Sequence, residues 1–291
     1  MTQVTKTAPP DIVRMLSGYS VELHPGDSKV LDAAQQRLTP GTEVFLVWIP
    51  GANPMDLVAP AAKLSLAGLV PVPHIGARHL ESSSQLDRLV GRLVDESGVD
   101  RMLLIGGDRA QPAGPYDSSL AVMQTDVFRK AGITRVAVAG FPEGNPNIPN
   151  PALEKALRAK VNFAQDAGLE LSIVTQFCFT AQPIVEWLRR IRAKGIDNPV
   201  RVGLAGPASV AKLLRYAVRC GIGNSLHVLT EHPSFATLLT EKGPESIIRD
   251  IAAKAEAGNN GSLPLGIAGL HFFVFGGFER TVDWVNAERA D

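Results

Sequence analysis

Eight short runs of β-branched and aromatic residues recur along this chain, each followed by a stretch with helical periodicity. That alternation leaves few folds open. The runs are YSVEL at 19, EVFLVWI at 43, LVPVPHI at 69, RMLLIG at 101, RVAVAG at 135, LELSIVTQ at 169, PVRVGLA at 199 and LHFFVFG at 270. Helical patterns cover 28–38, 55–67, 80–96, 118–131, 151–167, 181–194, 208–220 and 278–288. A strand–helix–strand order needs crossover connections, and these make parallel strands covered by helices. Eight units in 291 residues predict a closed α/β fold, the (β/α)8 or TIM barrel, in preference to an open doubly wound sheet. No GxGxxG follows a strand, which speaks further against the open sheet. One barrel domain over 1–291 is expected, with residues 1–10 a flexible arm. A ninth helical stretch at 244–258 and HPSFATLLTEK at 232–242 form an extra excursion between the seventh and eighth strands. The proline-rich FPEGNPNIPNP at 141–151 reads as a loop leaving the fifth strand.

The charge balance narrows the partners. With 29 basic and 29 acidic residues and no basic cluster, the chain lacks the field that nucleic acid or an anionic membrane requires. No apolar run of 18 residues and no apolar N-terminal leader is present, so no membrane span or signal peptide is expected. Cys178 and Cys220 lack a CxxC spacing and read as buried thiols of a reducing cytoplasm. No HExxH or DxDxDG spacing occurs, and no metal site is expected.

In a barrel of this kind the chemistry sits at the C-terminal strand ends. Those positions carry Glu22, Trp48, His74, the Gly106-Gly107-Asp108 run, Phe141 to Glu143, Gln176, Gly203 to Gly206 and Phe275-Gly276-Gly277. Glu22, between Val21 and Leu23, is either half of a salt bridge across the barrel or a carboxyl of raised pKa suited to proton donation. Asp108 caps the next helix or meets a ligand that the two glycines let approach. His74 is a satisfied core histidine or a ligand contact. Gln176 ends an apolar run and must satisfy its amide with a neighbouring loop or with a ligand. Trp48 stacks on a planar ligand or closes the top layer of the barrel. Glu143 caps the proline-rich loop, His271 is a core residue at a strand start, and Trp187 and Tyr216 belong to the outer helix ring. No serine, cysteine or lysine stands in a nucleophile setting.

These residues resemble the methylenetetrahydrofolate reductase family. SVELHP resembles its first-strand glutamate motif, PVPHI its third-strand Pro-His, IGGD its Gly-Asp and GFPEGNP its Tyr-Pro-Glu-Gly-His-Pro. DAGLELSIVTQFCFT resembles its Ala-Gly-Ala-Asp through Thr-Gln-Phe-Phe-Phe-Asp. The five lie in order over about 19–277. The resemblance implies a (β/α)8 barrel that reduces 5,10-methylenetetrahydrofolate to 5-methyltetrahydrofolate with NADH or NADPH. It implies that Glu22 protonates N10 and opens the ring to an N5 iminium ion. Asp108 stands beside the pterin and hydride donor as the second catalytic residue. Gln176 and Phe275 hold the folate, while Trp48, His74, Gly107, Asp108 and Tyr116 contact the cofactor.

Family members carry FAD as a hydride relay, and here the pattern departs. Positions for an Arg, a Tyr, a His and a Lys hold Gly106, Phe141, Asn145 and Ala164, and a further Arg is replaced by Gly277. Each lost charge-assisted contact to a diphosphate is worth about 1.5–3 kcal/mol. Either Arg78 or Arg109 substitutes, or FAD is absent and hydride passes directly from the nicotinamide to the folate. Two other readings stand: a pterin-binding one-carbon transferase without redox chemistry, and an inactive folate-binding barrel. The oligomeric state is not legible.

Overall fold

The computed structural model describes residues 10–220, 243–254 and 264–290. Residues 1–9 of the expected arm, the 232–242 excursion and residues 255–258 of the ninth helical stretch lie outside them. Eight parallel strands close in sequence order: β1 (Ser20–Leu23), β2 (Glu43–Leu46), β3 (Val70–Gly76), β4 (Arg101–Ile105), β5 (Arg135–Gly140), β6 (Glu170–Thr175), β7 (Val200–Ala205) and β8 (Ile267–Phe273). The described helices are α1 (Pro10–Ser17), α2 (Ser28–Arg37), α3 (Val58–Leu66), α4 (Ser83–Ser97), α5 (Ser119–Met123) and α6 (Val127–Lys130), followed by α7 (Asn150–Ala167), α8 (Ala181–Ala193), α9 (Val210–Cys220), α10 (Glu245–Lys254) and α11 (Phe278–Ala290). The chain is a (β/α)8 TIM barrel, as its alternation predicts. By internal contacts it divides into two compact units, Ser20–Gly140 with Glu154–Val174, and Met1–Tyr19 with Phe141–Leu153 and Thr175–Asp291.

In the first of these units, α4 shows how the sequence encodes an outer helix. Leu86, Leu89, Val90 and Leu93 recur on one face and are buried. Ser82 accepts the Gln85 N–H at 3.2 Å to start the helix, and Gly98 ends it in the left-handed region at φ 61°. The interior is built from alternate strand residues. Glu22 is in register with Phe45, Phe45 with Val72, and Leu103 with Ala137. Phe45, Val72, Leu103, Ala137 and Val174 form one apolar layer. Pro71 and Pro73 fall inside β3, and it pairs with β4 over His74–Gly76, beyond the residues that have no N–H to give. At the N-terminal ends of the strands Arg101 pairs with Glu43 and Asp100, and Arg135 also reaches Asp100.

Three details of the other elements differ from the sequence reading. In the second unit β8 begins at Ile267, three residues early, because a register shift against β7 between Val200 and Arg201 absorbs Ala268. His271 therefore lies in mid-strand opposite Gly203, fully buried, and not at a strand start. In that unit α1 also occupies residues where the arm was expected to end, with Ile12, Met15 and Leu16 buried. The helical stretch 118–131, in the first unit, is broken into α5 and α6 at Gln124–Asp126.

Candidate active site

Within the Ser20–Gly140 unit the polar strand-end residues form two clusters. Glu22, near the end of β1, points inward beside the apolar layer, and its side chain is 21% exposed. Its Oε2 lies 3.7 Å from Nε2 of His74, which is itself edge-on to Phe45 with ring centroids 6.1 Å apart. Burial raises the Glu22 pKa, and the nearby His74 only partly offsets this. A carboxyl in that setting keeps its proton further toward neutral pH, as a proton donor requires.

The second cluster surrounds Asp108. A 3-10 turn at Ala77–His79 folds the chain back after β3, and the Arg78 N–H donates to the Gly106 carbonyl at 2.9 Å. This brings His79 Nε2 to 2.7 Å from Asp108 Oδ1. Asp108 does not cap the next helix, since Ser118 does so by accepting from the Ala121 N–H. Trp48 lies beside the His79 ring at 6.0 Å with a 36° tilt. It is 9% exposed, and its indole N–H has no hydrogen-bond partner among the described residues. Gly107 sits at φ 89°, and a Cβ there would lie 2.7 Å from the His79 ring. Tyr116, between β4 and α5, is 7% exposed.

Within the other unit Gln176 follows β6 directly. Its Oε1 accepts the Phe177 N–H at 3.1 Å, and among the described residues no acceptor is bonded to its Nε2. Gly203 makes this exit possible, because a Cβ there would come 2.3 Å from the Thr175 carbonyl oxygen and 3.0 Å from the Gln176 carbonyl carbon. Phe275 lies two residues past the end of β8, at φ 45°, a left-handed conformation unusual for an aromatic residue. Its ring stacks on Tyr216 at 4.3 Å and meets Phe177 edge-on at 5.0 Å. Tyr216 is thus part of this aromatic group as well as of α9. Glu143 lies against Cys178, and burial foremost, then Glu143, pushes that thiol pKa well up.

The positions where a flavin diphosphate would need cations offer none. Asn145 accepts the Asn147 N–H and so shapes its own turn, and Ala164 is buried on α7. Arg78 holds the Ala110 and Asp117 carbonyls, and Arg109 reaches the Gln111 carbonyl. A side chain at Gly277 would begin 2.6 Å from the Pro207 carbonyl oxygen. The residues present therefore fit FAD poorly.

His79 is the residue that sequence reasoning missed. It lies five positions after His74 with no periodicity to mark it, and only the 3-10 turn returns it to the Gly-Gly-Asp segment. The one available signal was a second histidine three residues past Gly76, at the exit of the same strand.

Fold and strand ends together define a (β/α)8 barrel with a desolvated carboxyl on β1 and an amide after β6. No protein-family model matches the chain. It is similar to methylenetetrahydrofolate reductase 2 of Saccharomyces cerevisiae, 27% identical over 172 residues, which cover 56% of this chain and 27% of that protein. The match therefore spans about a quarter of that relative's length. That match and the eight-stranded parallel barrel fit a methylenetetrahydrofolate reductase-like family.

Proposed function

We propose that this chain reduces 5,10-methylenetetrahydrofolate to 5-methyltetrahydrofolate at the expense of NADH or NADPH. The observation that carries the reading is the desolvated Glu22 carboxyl on β1, supported by the distant match to a named reductase. Its proton goes to N10 of the folate, the C–N10 bond breaks, and the electron pair on N5 forms the methylene iminium. Hydride from C4 of the dihydronicotinamide then adds to the methylene carbon, giving the N5-methyl group and the oxidised nicotinamide. The Asp108 carboxylate stabilises the cation, and the amide N–H groups of Gln176 hold the pterin.

No step is assigned to FAD, because the residues at its expected diphosphate contacts are uncharged or committed to loop carbonyls. The nicotinamide and the folate iminium react directly. A transferase has no use for an acid on β1, so the Glu22 environment favours reduction over that alternative.

The test is the absorbance spectrum of the purified protein followed by NADH oxidation with methylenetetrahydrofolate and no added flavin. Oxidation by a colourless protein is expected. A stoichiometric band near 450 nm would overturn the flavin-free form, and absence of any nicotinamide oxidation would overturn the reductase reading.

A further inference from the structure

The His79–Asp108 pair is more constructed than an ordinary surface ion pair. The imidazole is 8% exposed while the carboxylate is 64% exposed, so a buried donor holds an exposed acceptor. Space for the ring depends on two absent side chains. A Cβ at Gly107 would fall 2.7 Å from His79 Cδ2, and one at Gly76 would fall 3.3 Å from both His79 Cδ2 and the Trp48 ring. The turn that carries His79 is fastened on both sides, by Arg78 N–H to the Gly106 carbonyl and by the Ala113 N–H to the Arg78 carbonyl, each at 2.9 Å. A carboxylate only accepts, so Nε2 bears the hydrogen in this contact.

We propose that His79 is a positioning residue for Asp108: it grips Oδ1 and leaves Oδ2 for the reacting groups. The inference rests on the reductase reading and names a further residue of that site. An exposed aspartate on a glycine-rich exit would otherwise sample several rotamers, and a carboxylate meant to stabilise a transient cation has to be in place before the charge forms. Trp48 and the two glycines confine the imidazole, and the imidazole confines the carboxylate.

Two substitutions separate positioning from packing. His79→Gln keeps an N–H donor but loses the ring, whereas His79→Phe keeps the ring beside Trp48 and loses the donor. If His79 positions Asp108, the Gln protein retains kcat within about threefold, and the Phe protein loses about 10- to 100-fold, the worth of a hydrogen bond to a charged group. The reverse order, or equal rates in all three proteins, would overturn the proposal.

A second measurement needs no turnover. The His79 Nε2 resonance, identified by its disappearance in the His79→Phe protein, is expected to move in Asp108→Asn, a substitution at an exposed site that leaves the fold intact. An unmoved resonance overturns the pairing. Should the wild type fail to oxidise NADH with the folate, the reductase reading falls, and the resonance alone decides whether His79 holds Asp108.

Discussion

At the scale of single residues, Glu22 links stability and activity with opposite signs. Its folded pKa is raised, so between the ordinary carboxyl range and that higher value the folded chain holds more protons than the unfolded one. Stability from this group is therefore full below the ordinary value and is lost as pH rises through the folded pKa. Glu22→Gln, which cannot ionise, is expected to match or exceed the wild type in urea unfolding at neutral pH while kcat falls at least about 100-fold. Turnover of the wild type should decline on the alkaline side as the acid loses its proton. Lys160 gives a second case. Burial on α7 lowers its pKa to about 8, so the unfolded chain binds more protons from about pH 8 to the ordinary lysine range and stability rises with pH there. Lys160→Met should stabilise the fold by about 1–3 kcal/mol at pH 7, with the gain shrinking at pH 10. Cys178, with its thiol pKa pushed up by burial, should resist alkylation in the native protein at neutral pH. Glu22, His74 and Gln176 were legible as candidates because strand alternation fixes a side chain's direction. His79 was not, since its place follows from a backbone turn that no periodicity encodes.

Elements were legible wherever one pattern dominated. The first seven strands fall within a few residues of the apolar runs that announce them, because parallel strands buried on both faces are nearly continuous in hydrophobic sequence. The start of β8 was missed because Gly266 and Gly269 resemble punctuation. In fact Gly269 is needed for contact, as a Cβ there would lie 2.6 Å from the Gly18 carbonyl oxygen. α1 was overlooked since an eight-residue helix shows barely two turns of pattern. The exit from β8 carries a prediction of its own. Phe275 in the left-handed region costs about 1–2 kcal/mol, and the stack on Tyr216 is one of the ring contacts that offset it. Tyr216→Ala should therefore lower stability by about 1–2 kcal/mol in urea titration and weaken folate binding. Tyr216→Phe, which keeps the ring, should do neither.

For the molecule as a whole, eight strand–helix units in a chain of this length left the barrel as the natural closure, and the parallel sheet closes in sequence order. Among the described residues no helix is long and apolar enough to cross a membrane. The barrel's stability has a checkable polar component at the N-terminal ends of β2, β4 and β5. Arg101, 22% exposed, pairs there with Glu43, 14% exposed, and with Asp100. Removing one partner of such a group leaves charge in poorly solvated surroundings, so Arg101→Ala should cost about 2–4 kcal/mol in denaturant unfolding with little effect on KM. The same cluster bears on salt. Ion pairs held in partly buried places are screened less by dissolved electrolyte than those in open water, so this foot of the sheet keeps its grip in briny as in dilute surroundings.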